Sequence, residues 1–261
     1  MFDFHMHSSL SFDSEASALS MAQAAADRGL KEICFTDHYD CHWDTTDPHD
    51  LFSLDDYRAT YEGLCIPGLT IRRGVEMGLT RWNRDVAEAF TRSYPLDFVI
   101  GSLHYVDGYD PYQPQYWEGK TMHRAYERYL EETLRCVRLH DDFDVLGHLT
   151  YVCKSPHNPY HTPVPYEDFT ALTDDIMREL IKKGKGMEIN TSGVDRVGDF
   201  LPSARHLQRF FELGGRIVTV GTDAHNPERV GQYTDHALKI LKDIFGQVCT
   251  FEKRRPIFHQ L

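Results

Sequence analysis

Nine side chains able to hold metal ions recur at one kind of place along this chain. The opening stretch FDFHMHSSLSFDSE (residues 2–15) sets the pattern: a short apolar run ends in His5-Met6-His7, and Asp13 follows six residues later. Two imidazoles at i and i+2 of a strand point to the same side. With 15 histidines in 261 residues such a pair can arise by chance, so the other apolar runs decide. EICFTDH ends in Asp37 and His38, RRGVEMG carries Glu76, VIGSLH ends in His104, VLGH ends in His148, EINTSG carries Asn190, and VGTDAH ends in Asp223 and His225. The recurrent set is His5, His7, Asp13, His38, Glu76, His104, His148, Asp223 and His225. One zinc site takes about four protein ligands, or three and a water. Six imidazoles and three carboxylates therefore suit two or three divalent ions, with a carboxylate bridging. No Cys stands at these positions, and an all-N/O donor set suits Zn, Mn or Fe.

Taken singly, each motif has an ordinary explanation. An Asp-His pair often caps a helix or a turn, Glu76 could be a surface charge, and His104 and His148, each close behind a Gly, could be core histidines. Their regular recurrence at strand ends is what argues for a shared site. His42, His49, His123, His140, His206, His236 and His259 fall outside the pattern and are expected at the surface or in loops. His157 and His161 lie in a Pro-rich loop near the site and are left open.

The elements that must position these groups alternate. Strands are predicted at 2–6, 32–36, 70–76, 97–102, 143–147, 186–190 and 216–221. Helices are predicted at 15–28, 55–64, 84–93, 121–140, 166–183, 203–213 and 228–245, several closed by a Gly just past the last turn (Gly29, Gly184, Gly214). Strand and helix repeated about seven times predict an α/β fold with a parallel sheet, closed into a barrel at this length. In such a barrel the C-terminal strand ends converge on one face, which would bring distant ligands together. The stretches 40–50 and 107–120 read as long loops, which in a compact domain are often functional.

Hydrophobic residues make up 41% and charged residues 26%, ordinary for a globular chain with a real core. No repeat, linker or low-complexity tract divides it, so one domain over residues 1–261 is expected. The formal net charge of -12 disfavours binding to nucleic-acid phosphates. The six cysteines form no CxxC pair and suggest no disulfide framework. With no basic leader and no apolar run long enough to span a bilayer, a cytoplasmic protein with reduced thiols is expected.

His5-x-His7, Thr36-Asp37-His38, Gly74-x-Glu76, Gly101-Ser102-x-His104, Gly147-His148 and Thr222-Asp223-Ala224-His225 resemble the ordered motifs of the PHP (polymerase and histidinol phosphatase) superfamily. The resemblance runs from residue 2 to about 231. IGSLHYVDG (100–108), DVLGHLTY (144–151), EINTSG (188–193) and TDAHNPERVG (222–231) are similar to the histidinol-phosphatase branch. The resemblance implies a distorted (β/α)7, TIM-like barrel, a trinuclear metal centre, and hydrolysis of L-histidinol phosphate to L-histidinol in histidine biosynthesis. It places His5, His7, Glu76 and Asp223 on a first ion, Glu76, His104 and His148 on a second, and Asp13, His38 and His225 on a third. Some relatives carry His where this chain has Asp13, and often a basic residue soon after the Gly-His, for which Lys154 is the first candidate here.

A phosphomonoester dianion repels hydroxide. Divalent ions cancel its charge and lower the pKa of bound water towards about 7, so a hydroxide held between ions would attack phosphorus in line. Glu76, Asp223 and His225 are expected to act in catalysis, Asp223 or His225 as proton relay. Arg196, then Arg229 and Lys154, are the candidates to bind phosphate oxygens. For the ammonium and imidazole of the alcohol, Asp107, Asp110, Glu118 and the 40–50 loop could supply negative charge, and Tyr105, Tyr151 and Trp43 could stack. The partner is thus expected to be a small phosphate ester, with neither nucleic acid nor membrane; oligomeric state is left open. The alternatives are another PHP-type phosphoesterase, an amidohydrolase-like C–N hydrolase, which commonly needs a carboxylated Lys that the third and fourth strands lack, and a non-catalytic metal-binding protein.

Overall fold

The structure is a computed structural model that describes residues 1–40 and 51–261. In chain order it contains β1 (Phe2–Met6), α1 (Ala18–Asp27), β2 (Glu32–Phe35), β3 (His38–Asp40), α2 (Leu54–Tyr61), β4 (Thr70–Gly78), α3 (Arg84–Ser93), β5 (Phe98–Ser102), α4 (Pro114–Trp117), α5 (Met122–Leu139), β6 (Val145–Leu146), α6 (Thr170–Lys182), β7 (Gly186–Asn190), α7 (Val194–Val197), α8 (Ala204–Glu212), β8 (Val218–Gly221), α9 (Thr234–Phe245), β9 (Gln247–Glu252) and β10 (Arg255–Gln260). The parallel order is β1-β2-β4-β5-β6-β7-β8. β2 and β3 both pair with β4, at Thr70–Arg73 and at Glu76–Gly78 respectively, so they are two parts of one strand interrupted at Thr36-Asp37. A parallel bridge between Met6 and Ala224, with the His7 N–H donating to the Ala224 carbonyl at 2.9 Å, brings β8 back to β1. The result is a nearly closed barrel of seven parallel strands, the α/β barrel expected.

Local chemistry explains the helix ends. Ser17 starts α1 by accepting the Ser20 N–H on its side chain, and Ser53 and Thr121 do the same for α2 and α5. The predicted helix over 228–245 begins only at Thr234. Gly231 and Tyr233 both have positive φ (70° and 61°), which an α-helix cannot contain, so a short 3-10 turn at Pro227–Arg229 precedes it. Two predicted lengths are also corrected. β6 is two residues long rather than spanning 143–147, and β4 runs on to Gly78 because β3 and β5 hold its far end.

The interior is filled from the N-terminal strand ends. Phe4 of β1 and Phe98 of β5 are not on adjacent strands, yet their rings meet edge-on at 5.6 Å, a contact only the barrel interior allows. Phe251 of β9 lies tilted against Phe98 at 4.8 Å and shares an apolar cluster with Phe4, Cys34, Ile100, Val145 and Cys249. The antiparallel β9–β10 hairpin, which the pattern of strands and helices does not predict, thus plugs one end of the barrel. The backbone N–H groups of Lys253 and Arg254 at its turn donate to Asp97, just before β5, and Arg254 also pairs with Asp144, just before β6. The plugged end is therefore the N-terminal one, and the opposite end is free to be a site. Among the described residues no helix is long and apolar enough to cross a membrane.

Candidate metal centre

All nine sequence-selected ligands meet at the C-terminal strand ends. Glu76 is the hub. Its Oε2 lies 3.1 Å from His5 Nε2, 3.6 Å from His7 Nε2 and 3.1 Å from His38 Nδ1. Its Oε1 lies 3.2 Å from His104 Nε2 and 2.7 Å from His148 Nε2. One carboxylate thus faces two groups of imidazoles, one per oxygen, as a bridge between ions must. Asp223 Oδ1 closes the first group, 3.7 Å from His5 Nε2 and 3.3 Å from His7 Nε2. Asp13 joins His225 at 3.0 Å and His38 at 3.7 Å. The His7 ring is stacked between those of His225 (4.0 Å) and His38 (4.3 Å), so His7 also belongs to the third group. Ligand atoms of His5, His7, Glu76 and Asp223 lie within 4.8 Å of one another, as do those of Glu76, His104 and His148, and those of His7, His38 and His225.

The hydrogen bonds behind the ligands set their tautomers. His5 Nδ1–H donates to Glu188 Oε1 at 2.7 Å, and His104 Nδ1–H to Asp40 Oδ2 at 2.9 Å. His225 Nδ1–H donates to the Asp223 carbonyl at 2.9 Å. Ser11 gives its hydroxyl hydrogen to Asp37, so at 3.0 Å His7 Nδ1–H must be the donor to Ser11. In each case Nε2 is left with its lone pair turned inward, the arrangement by which second-layer acceptors orient metal-binding histidines. His5 Nε2, His7 Nε2, His225 Nε2, His38 Nδ1 and Glu76 Oε2 are buried without hydrogen-bond partners. Buried polar atoms are rarely left so. Several aimed at one space fit bound cations, and the N/O set accommodates two or three divalent ions.

The acids concentrate negative charge in this space. Burial opposes charge on His5, yet Glu188, Glu76 and Asp223 hold its pKa well above the ordinary range, so a divalent cation would take the place of a proton at Nε2. Burial likewise opposes charge on Glu76, and His5, His38 and His104 hold its carboxyl well below the usual range. Asp223 is kept ionised against its burial chiefly by Lys154, whose Nζ is 2.6 Å from Asp223 Oδ2. Asp223 adopts φ 56°, a left-handed conformation that Asp tolerates better than most residues, and its N–H donates to the His5 carbonyl at 2.8 Å.

The centre opens into a cavity of about 420 Å³ lined by Phe12, Asp110, Tyr112, Tyr151 and Lys154 beside the ligands. The basic candidates for phosphate binding lie at different distances from this cavity. Lys154 faces the cavity, held by Asp223 and Ser192 (2.9 Å). Arg196 is exposed on α7 and does not line it, though its charge is felt at Tyr112. Arg229 is turned away into a pair with Asp195. Of the expected acidic contacts that are described, Asp110 and Asp40, the first residue of the 40–50 stretch, line the cavity, whereas Asp107 pairs with Arg128 and Glu118 is exposed. Tyr151 lines it and Tyr105 does not. Trp43, His42, His49 and the stretch 41–50 lie outside the described residues. His157 and His161 are exposed and take no part in the lining. Two histidines expected at the surface are buried instead. His140 Nε2–H donates to the Thr80 carbonyl at 2.7 Å, and His206 packs edge-on against Tyr166.

Sequence reasoning gave Asp40 no part in the metal site and passed over Glu188. Asp40 repeats in His38-x-Asp40 the i, i+2 spacing of His5-x-His7, and Glu188 alternates with Asn190 along β7, but neither spacing separates an orienting carboxylate from any other acid. Gly78 and Gly221 make room for them: a Cβ at Gly78 would collide with the Asp40 carboxylate, and one at Gly221 with Glu188 and His5. Asn190 is no ligand; it donates to Glu188 at 3.1 Å.

The PHP domain family model matches residues 3–192, and the chain belongs to the PHP domain family. Among its relatives, "Probable histidinol-phosphatase" of Clostridium acetobutylicum is 27% identical over 97% of this chain and 98% of its own length. The histidinol-phosphatase of Lactococcus lactis is 29% identical over 95% of this chain and 93% of its own. A crystal structure of the Lactococcus lactis histidinol phosphate phosphatase, complexed with zinc, L-histidinol and phosphate, aligns with a TM-score of 0.83, 28% identity and 98% coverage of both chains.

Proposed function

We propose that this protein is a histidinol-phosphatase, a phosphoric monoester hydrolase that converts L-histidinol phosphate and water to L-histidinol and phosphate in histidine biosynthesis. The observation that carries the reading is Glu76, with five imidazoles divided between its two oxygens. The substrate follows from near-full-length similarity to histidinol-phosphatases, one of them holding L-histidinol and phosphate. We read residues 1–261 as one phosphatase domain, since Asp223 and His225, beyond the family-model match, meet His5 and His7. A cytoplasmic setting agrees with the free thiols of Cys34, Cys65, Cys136, Cys153 and Cys249.

His5, His7, Glu76 and Asp223 would hold one ion, Glu76, His104 and His148 a second, and Asp13, His38 and His225, with His7 stacked between the last two, a third. Such ions neutralise phosphate charge and acidify bound water. Lys154 binds a phosphate oxygen and keeps Asp223 ionised; Arg196, at the rim, and Arg229 are secondary candidates. Water forms the new O–P bond as the ester O–P bond breaks. Asp223 and His225 carry the proton from the attacking water towards the departing alkoxide. The other partner is a small phosphate ester rather than nucleic acid, in keeping with the acidic chain.

Phosphate release from L-histidinol phosphate by metal-reconstituted protein, measured against a panel of monoesters, tests the reading. L-histidinol phosphate is expected to be the best substrate. Glu76→Gln should lose metal and lower kcat/KM by about two orders of magnitude or more, because several kcal/mol of charge stabilisation goes with the bridge. Turnover of other monoesters without release from L-histidinol phosphate would refute the substrate.

A further inference from the structure

Asp223 and His225 belong to Thr222–Gly231 (TDAHNPERVG), a segment in which most residues are not ligands. It begins where the barrel has least support. β8 pairs with β7 as far as Asn190 and Gly221. Among the described residues a single bridge, Met6–Ala224, joins this end to β1. A segment without a ladder must be ordered by other contacts, because fixing each residue costs conformational entropy.

Those contacts come from the first 28 residues of the chain. Asp3 of β1 holds both ends of the segment. Its Oδ1 accepts the Thr222 N–H at 3.0 Å, and its Oδ2 accepts the Thr222 hydroxyl at 2.5 Å and the Gly231 N–H at 3.0 Å. Gly231 can turn back towards Asp3 because it adopts φ 70°, and a Cβ there would lie 3.0 Å from Leu30. Between the two ends, the Asp223 N–H donates to the His5 carbonyl at 2.8 Å and the Ser14 hydroxyl to the His225 carbonyl at 2.9 Å. Arg28, just past the last turn of α1, holds the second half. Its guanidinium donates to the carbonyls of Pro227 (3.0 Å), Glu228 (2.7 Å) and Val230. Asp3 is fully buried and Arg28 is exposed, and neither lines the cavity.

The two ligands depend on this hold to different degrees. Asp223 is also fixed by Lys154 and Ser192, at 2.6 and 3.2 Å. The His225 side chain is 25% exposed, and its Nδ1–H donates to the Asp223 carbonyl, an atom of the same segment. Freedom in the segment therefore reaches His225 first. We infer that Asp3 and Arg28 are positioning residues for the metal centre. Asp3 fixes where the segment leaves and rejoins the barrel, and Arg28 keeps His225 beside Asp13 and His38 before an ion arrives, which is what a preorganised site requires. The inference rests on the metal-binding part of the reading above and not on the substrate.

The test equilibrates zinc-loaded full-length protein with a graded chelator and counts retained zinc by elemental analysis. His225→Ala marks the binding step of the third group, and His148→Ala that of the second. Arg28→Ala should raise the dissociation constant of the His225 step by about tenfold to a hundredfold, the loss that follows when contacts orienting a ligand are removed. The His148 step should stay within about twofold. Arg28→Lys, which keeps a cation for the same carbonyls, should recover part of the loss. Thr222→Val removes the hydroxyl that Asp3 accepts while keeping the side-chain shape. It should weaken the His225 step by about two- to tenfold, the worth of one hydrogen bond. An unchanged His225 step in Arg28→Ala would overturn the role of Arg28, and in Thr222→Val that of Asp3. Equal weakening of every step would overturn both, since a general loss of fold moves all ligands alike. A wild type that keeps no zinc would refute the metal centre, and the positioning roles with it. Zinc steps that respond as expected in a protein inactive on L-histidinol phosphate would uphold both roles and refute the substrate.

Discussion

His5 shows how much a single candidate ligand depends on its neighbours. Its Nε2 can face Glu76 and Asp223 only while Nδ1–H is engaged by Glu188, and Glu188 is itself fixed by the His148 N–H at 2.9 Å and by Asn190. Removing such an outer acceptor costs about 10- to 100-fold in metal affinity in other sites. Glu188→Ala should therefore raise the metal dissociation constant by about that factor, measured by competition with a chelator, while far-ultraviolet circular dichroism stays that of wild type. Unchanged metal affinity would show that Glu188 only fills space. At this scale the candidate ligands could be picked out because, Asp13 apart, each stands in or just after the end of a recognisable apolar run. Asp40 and Glu188 were not singled out, because a carboxylate that orients a ligand looks in sequence like any other acid. What distinguishes them is the recess beside Gly78 and Gly221, which appears only when strands are paired. The placement of the basic candidates was hidden for a similar reason. The Asp223 carboxylate draws Lys154 inward, while Arg196 rides an exposed four-residue helix.

Between side chain and molecule stand the elements, and α8 carries a pH-sensitive one. His206, in its first turn, is fully buried, accepts or donates with Ser203 Oγ at 2.8 Å and lies edge-on to Tyr166. Burial lowers its pKa from 6.5 to about 4. Between those values the unfolded chain binds a proton that the folded chain refuses. Its stabilising contribution is thus complete above about pH 6.5 and lost as pH falls towards 4, on the order of 3 kcal/mol in all. In urea titrations across that window, His206→Gln should lose stability less steeply with acid than wild type; parallel curves would remove His206 as the cause. The alternation of strands and helices was readable from apolar runs and Gly stops. The β9–β10 hairpin was not, since its turn residues Lys253 and Arg254 have positive φ (50° and 64°) without the Asn or Gly that usually marks such a turn. Docking onto Asp97, Asp142 and Asp144 supplies from tertiary contacts what the local sequence lacks.

Over the whole molecule the barrel separates stability from chemistry along its axis. The candidate ligands and the cavity occupy the C-terminal strand ends. The opposite end is packed by Phe4, Phe98 and Phe251, the last supplied by a hairpin that adds no residue to the cavity lining. The two ends should therefore respond independently to mutation, since distant sites without shared partners act nearly additively. Phe251 is 2% exposed, and removing a buried Phe ring costs roughly 3–5 kcal/mol in transfer and cavity terms. For a chain of this size that lowers Tm by roughly 6–20 °C. Phe251→Ala should show that fall in a thermal melt of the metal-loaded protein. Its kcat on a phosphate monoester at 25 °C should stay within about twofold of wild type, because the folded fraction remains near one while several kcal/mol of stability are left. A drop in kcat with little change in Tm would mean that the plug transmits strain up the strands to Glu76, and that the ends are one mechanical unit. A fall in Tm alone leaves the C-terminal face as a catalytic surface carried by a scaffold closed from below.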